Sequence, residues 1–236
     1  MHSSAFIDRV RGRLIVSCQP VVGGPFDATP FVVAFARAAL DGGAAGLRIE
    51  GAANIAAVCA ATSAPVIGLI KRDLADSPVR ITPSVADARA IIAAGAHMVA
   101  FDATRRPRPE PVADLIAAVR AGGALSLADC ATAEEGRAAL AAGADFVSST
   151  LSGYTGGPEL NGPDLALVAA LRQVTRNVIA EGRIRAPEEA AAAICAGALA
   201  VVVGSAITRP EMVTEWFAEA IARSADAAGA AAAERG

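Results

Sequence analysis

The stretch Val66-Ile67-Gly68-Leu69-Ile70-Lys71 decides the reading. Five apolar residues in a row, three of them β-branched, suit a parallel strand buried on both faces. A charge closes the run, and a helix pattern opens a little further on at Pro83-Ser84. The same order of events recurs where Asn177-Val178-Ile179-Ala180 ends in Glu181. Working outward, eight apolar runs cover residues 14–18, 46–49, 66–70, 98–101, 125–128, 146–149, 178–180 and 199–203. Ala-rich amphipathic segments separate them. Thr29-Pro30, Pro109-Glu110-Pro111, Thr132-Ala133-Glu134-Glu135, Pro163-Asp164, Pro187-Glu188-Glu189 and Pro210-Glu211 read as further helix starts, the last three with Pro in the first turn. The helix near residues 52–60 has the weakest start signal. A repeated glycine unit, at Gly43, Gly95, Gly143 and Gly197, reads as the stop of four helices in the left-handed conformation.

Strand–helix alternation repeated eight times predicts a single (β/α)8 TIM barrel of the phosphate-binding type over residues 14–224. A 13-residue extension with a first helix precedes it, and an Ala-rich tail at 225–236 is expected to fray. An open doubly wound sheet fits less well, because Gln19-Pro20 follows the first strand where that fold carries a Gly-rich turn.

Composition narrows the class of function. Hydrophobic residues make up 54% of the 236, enough for a large core, and the net charge is only −3. Without a basic run, and with 4% aromatic residues, the chain offers nucleic acid no surface. No apolar stretch of membrane-spanning length escapes a charge or a Gly/Pro break, and the first 13 residues lack a secretory pattern. Cys18, Cys59, Cys130 and Cys195 are far apart, which suits reduced thiols in the cytoplasm. No HxH, HExxH or DxD pattern points to a metal.

In a barrel of this kind the working residues follow the C-terminal ends of the strands. Here those are Gln19, Arg48, Lys71, Asp102, Asp129, Ser152, Glu181 and Gly204-Ser205. Lys71 and Glu181, on the third and seventh strands, face each other across one pocket. An amine opposite a carboxylate suits proton removal from one face of a carbon and return to the other. Burial and the neighbouring Arg72 would lower the Lys71 pKa toward that of a useful base. A rim salt bridge and a Schiff-base nucleophile are the alternatives for Lys71. For Glu181 the alternative is an ion pair with Arg183 or a neighbouring strand. Arg48 could fork onto substrate oxygens and Asp129 could accept from hydroxyls, or the two could form a salt bridge with each other. Gln19 could bind an amide or hydroxyl, or a backbone group. The last two strand loops bring Gly182, Arg183, Gly204, Ser205 and Arg209 to the usual phosphate position. The loop from Leu151 to Pro158 around Tyr154 is a candidate lid. His97, ahead of the fourth strand, reads as structural.

Set end to end, these segments resemble the N-acetylmannosamine-6-phosphate 2-epimerase family, the bacterial enzymes of sialic acid breakdown that yield N-acetylglucosamine 6-phosphate. The resemblance runs from about residue 14 to 222. It is carried by Ile15-Val16-Ser17-Cys18-Gln19-Pro20, Gly68-Leu69-Ile70-Lys71-Arg72-Asp73, Thr150-Leu151-Ser152-Gly153-Tyr154-Thr155, Ile179-Ala180-Glu181-Gly182-Arg183-Ile184 and Val203-Gly204-Ser205-Ala206-Ile207-Thr208-Arg209-Pro210. It implies a cofactor-independent epimerase and a homodimer. It also implies Lys71 and Glu181 as acid/base pair, Gln19, Arg48 and Asp129 as substrate-binding residues, and Arg209 with the glycine loops at the phosphate. Ile49-Glu50-Gly51 departs from the family pattern and leaves Glu50 without a role. The competing expectations are a Schiff-base aldolase or synthase and a barrel that binds sugar phosphates without turnover.

Overall fold

The computed structural model describes residues 2–156 and 160–233, with the backbone alone from 225 to 233. Gly157 and Pro158 of the candidate lid lie outside the described residues, as do 234–236 and the side chains of 225–233 in the tail.

Eight strands, β1 (Leu14–Cys18), β2 (Gly46–Glu50), β3 (Val66–Leu69), β4 (Met98–Asp102), β5 (Leu125–Asp129), β6 (Phe146–Ser148), β7 (Val178–Glu181) and β8 (Ala200–Val203), close in chain order into one barrel. Every pairing is parallel, including β1 with β8. The helices are α1 (Ser3–Val10), α2 (Thr29–Asp41), α3 (Ala52–Ala61), α4 (Val85–Ala93), α5 (Val112–Ala121), α6 (Ala133–Ala141), α7 (Leu165–Arg172), α8 (Pro187–Cys195), the short α9 (Ser205–Thr208) and α10 (Pro210–Ala233). The predicted (β/α)8 barrel is the fold observed.

Local chemistry explains the element ends. Thr132 Oγ1 accepts from Glu135 N at 3.2 Å while the Glu135 carboxylate accepts from Thr132 N at 3.0 Å, the capping box expected for α6. Asp164 caps α7 by accepting from Leu167 N at 2.8 Å. Pro163 therefore stands ahead of that cap and not in the first turn as expected. The four predicted stop glycines all take positive φ, between 96° and 105°. At each, the glycine N–H and the next residue's N–H bond back to the last helical turn, as in Gly95 to Ile92 O (2.9 Å) and Ala96 to Ile91 O (3.3 Å). One strand ends early: β3 stops at Leu69, before Ile70, because a returning segment takes the place beside it.

The barrel interior is filled by Ile15, Ile67, Leu69, Met98, Leu127, Phe146, Ile179 and their neighbours. α1 closes the end opposite the strand C-termini. Its Phe6 and Val10 are fully buried, and Phe6 meets Phe146 edge-on at 5.5 Å. Two further cores lie between barrel and helices, one under β1–β4 and one under β5–β8. The plug thus closes one end of the barrel, and the charged strand ends surround the other.

Candidate active site

A cavity of about 490 Å³ opens at the strand C-termini. Lys71 lies on its β3 side and Glu181 on its β7 side, and Gln19, Gly204, Ser205 and Arg209 line the β1–β8 side. Lys71 is mostly withdrawn from water. Burial lowers its pKa to about 8, with help from the positive charges of Arg209 and Arg48, while Glu50 and Glu181 pull the other way. Among the described residues, its Nζ has no ion-pair or hydrogen-bond partner; its backbone N–H donates to Glu50 Oε1 at 3.2 Å. Arg72 is not the crowding charge expected. It turns outward and grips Asp87 through two nitrogens at 2.8 and 2.6 Å. The rim salt bridge at this corner belongs to Arg72, which leaves the Lys71 amine open.

The opposite wall is built differently. Arg48, at 1% exposure, binds Asp129 through Nη2 at 2.6 Å and Nη1 at 3.3 Å, and its Nη1 also contacts the Glu181 carboxylate. Arg48 and Asp129 thus form the mutual salt bridge weighed as their alternative, and they lie beneath the cavity floor. Glu181 pairs with Arg48, not Arg183. Thr150 Oγ1 lies 2.9 Å from Asp129 Oδ1 and 3.0 Å from Glu181 Oε2, and Ser148 Oγ donates to Asp129 Oδ1 at 2.6 Å. One guanidinium serves two carboxylates, so this cluster carries one surplus negative charge when both are ionised. Burial pushes the Glu181 pKa up and Asp129 adds to the rise, with Arg48 and Thr150 opposing.

The remaining expected residues fall around these two walls. Gln19 donates from Nε2 to Ser17 Oγ at 2.7 Å, and its Oε1 is buried with no protein partner among the described residues. Arg209 donates from Nε to Gln19 O at 2.7 Å, which fixes its stem and leaves its terminal nitrogens near the cavity. Thr208 Oγ1 donates to Ser17 O at 2.7 Å and holds α9 beside β1. Gly204 precedes α9 so closely against Ser17 that a Cβ there would come within 3.3 Å of the Ser17 Cβ. Arg183 donates to Ser152 O at 2.6 Å and Gly153 O at 2.9 Å and stacks on the Tyr154 ring at 3.8 Å. Two of its nitrogens are therefore engaged with the β6 loop, and Gly182, with φ of +114°, turns the chain between it and Glu181.

Sequence reasoning missed three features. Thr150, not Ser152, is the residue beyond β6 that joins the carboxylate network; Ser152 instead donates to Asp164 at 2.6 Å. The strand ends at Ser148, and Thr150 is two residues on, a spacing that could have flagged it. Trp216 of α10 lines the mouth and stacks under Arg185 at 4.9 Å, a contribution from beyond the last strand that no strand-end rule finds. The third was countable: of 21 basic residues, 20 are arginine, and Lys71 is the chain's only lysine. Arginine stays charged at any ordinary pH, whereas lysine can give up its proton, so one lysine among twenty arginines marks a place where deprotonation is useful. His97 is structural as expected, its Nδ1 accepting from Val66 N at 3.1 Å. No cluster of three or more metal-ligating side chains occurs among the described residues.

Eight parallel strands closed in chain order and alternating with helices define a (β/α)8 barrel, and its open mouth holds the Lys71 amine opposite the Glu181 carboxylate. The family described as "Putative N-acetylmannosamine-6-phosphate epimerase" matches residues 32–223. The "Bifunctional enzyme NanE/NanK" of Brucella melitensis is 57% identical over 220 residues, which are 93% of this chain and 42% of that protein. The chain thus spans less than half of that relative's length. A "Putative N-acetylmannosamine-6-phosphate 2-epimerase" of Yersinia pestis is 55% identical over 213 residues, covering 90% of this chain and 91% of that one. The solved structure of the N-acetylmannosamine-6-phosphate 2-epimerase from Clostridium perfringens superposes with a TM-score of 0.89 at 41% identity, over 93% of this chain and 97% of that chain. The chain belongs to the N-acetylmannosamine-6-phosphate epimerase family.

Proposed function

We propose that this protein inverts C2 of N-acetylmannosamine 6-phosphate to give N-acetylglucosamine 6-phosphate, as an isomerase of amino-sugar breakdown. The observation that carries the proposal is the unpartnered Lys71 amine facing Glu181 across one cavity. In the open-chain sugar the C2 proton is acidic because it lies beside an aldehyde. One of Lys71 and Glu181 removes it, and the other delivers a proton to the opposite face. The pair then shares a single proton, as neutral amine with carboxylic acid or as ammonium with carboxylate, and the two states run the reaction in opposite directions. A lowered Lys71 pKa and a raised Glu181 pKa bring these states close in energy, which is what reversible transfer needs. The step balances in protons alone and calls for neither metal nor cofactor.

Arg209, Arg183, Gly182, Gly204 and Ser205 form the phosphate end in this reading, with Gln19 offering its unpartnered amide oxygen to a substrate donor. Arg48 and Asp129 act from below, by fixing Glu181. We also infer a cytoplasmic homodimer. Phe217 and Ile221, one turn apart on α10, are each 68% exposed, an apolar face that a second copy would cover. Among the described residues no helix is long and apolar enough to cross a membrane, and the four cysteines are unpaired.

Proton NMR with N-acetylmannosamine 6-phosphate in D2O tests the proposal. The expected result is N-acetylglucosamine 6-phosphate carrying deuterium at C2. Deuterium uptake without inversion would remove one member of the pair, and no exchange at all would reject this substrate.

A further inference from the structure

The β3–α4 connection contains a wedge. Beyond Leu69 the place beside β3 is taken not by β4 but by Ile81-Thr82, running antiparallel. Thr82 N donates to Ile70 O at 2.7 Å, and Lys71 and Ile81 form an isolated antiparallel bridge. On the other side, Asp102 N donates to Ile81 O at 3.0 Å. The Thr82 hydroxyl spans the gap: it donates to Ala100 O at 2.6 Å and accepts from Ile70 N at 3.3 Å. Further out, Arg72 N donates to Arg80 O at 3.0 Å. Two residues thus separate the ends of β3 and β4 while bonding to both.

Thr82 is fully buried and has a φ of +44°. A β-branched residue is a rare occupant of that region, which glycine or asparagine takes with less strain. Strain of this kind persists where the surroundings over-determine it, and it clusters at functional sites. What glycine would lack here is the hydroxyl that ties the two strand ends together.

We propose that Thr82 is a positioning residue: its hydroxyl, wedged between β3 and β4, sets the spread of the two strand ends and so holds Lys71 in the cavity. The proposal rests on the acid–base role given to Lys71. Four charged groups face that amine: Arg209 and Arg48, which disfavour its charged form, and Glu50 and Glu181, which favour it. A Lys71 released toward water leaves the arginines and the apolar strand behind, so its titration moves upward.

Labelling by trinitrobenzenesulfonate across a pH series reads that titration directly, because the reagent takes only the neutral amine. Lys71 is the sole lysine, and peptide mapping separates it from the N-terminal amine. Thr82→Ser should keep the wild-type labelling midpoint and kcat. Thr82→Ala should raise the midpoint by about one pH unit and lower kcat by about 10²-fold with KM little changed, the size expected of a small misplacement of a reacting group. Should Thr82→Ala not fold, Thr82→Gly takes the same backbone without strain and is expected to show the same losses. A variant without the hydroxyl that keeps the wild-type midpoint and kcat, whatever its melting temperature, overturns the proposal, as does a Thr82→Ser variant that loses both. The labelling midpoint needs no turnover. Failure of the wild type to epimerise would therefore count against the proposed function and leave the Thr82 result standing.

Discussion

The two walls of the cavity treat their titratable groups in opposite ways. On the β3 side Lys71 is desolvated and left without a partner. On the β7 side Glu181 is also desolvated but tied to Arg48 and Thr150, with Asp129 and Ser148 behind them. Both groups depart from their ordinary pKa, and each moves toward its uncharged form. They differ in how much each can move: Lys71 has a backbone wedge to aim it and nothing to hold its tip, whereas the Glu181 carboxylate is fixed at one oxygen. Burial alone tunes a proton affinity; only partners fix an atom in place.

That contrast can be broken at several points. Lys71→Ala removes the free amine and should cut turnover by about 10²–10⁴-fold with the fold retained. Lys71→Arg is the sharper version: it keeps the charge and the length but cannot deprotonate, and it should be as inactive as Lys71→Ala. Turnover near wild type in the arginine variant would reduce Lys71 to a source of positive charge. Glu181→Gln keeps the shape and a contact to Thr150 while abolishing proton exchange at that wall. A loss of about 10²-fold or more is expected, with circular dichroism unchanged; full activity would take Glu181 out of the reaction.

Stability should respond to the bare amine with a definite sign. The folded state holds Lys71 at a pKa of about 8, below the 10.5 of the unfolded chain. Between those values the unfolded state binds more protons, so stability rises with pH across that window, and below it the native state carries the full cost of a buried charge. Lys71→Met should therefore be more stable than the wild type at pH 7, by up to about 3 kcal/mol. Denaturant titrations at pH 7 and pH 10 should show the advantage shrinking as pH rises. An advantage that is the same at both would mean that lost packing or solvation, not charge, separates the two proteins. The smallest effect is expected at Arg209. Arg209→Ala should raise KM for the phosphorylated sugar by about tenfold, in line with loss of one charge-assisted contact. It should also move the Lys71 midpoint upward, since Arg209 is the largest charge disfavouring the ammonium. An unchanged KM would remove Arg209 from the phosphate end.

Much of this was legible in the chain because it is locally encoded. The apolar runs, the capping box at Thr132 and the four stop glycines are short-range signals, and each fixes an element without reference to the rest. The charges at strand ends followed from the fold. What escaped depends on distant residues meeting. Nothing within a few residues of Arg48 says that it will sit under Glu181, 133 positions on. Nothing near Trp216 says that α10 folds back over the mouth. The outward turn of Arg72 depends on Asp87, buried in the next helix. Ile70, expected to close the third strand, falls outside it because Thr82, twelve residues later, claims both its backbone groups.

The plug at the closed end has a consequence in time. Phe6 lies in α1, which is made before every strand of the barrel, yet the ring it packs against is Phe146, and Gly12 donates to Leu199 O at 2.7 Å. At typical synthesis rates those partners emerge roughly 10–40 s later. α1 is therefore buried long after it is made, and until those partners emerge its apolar face has nowhere of its own to go.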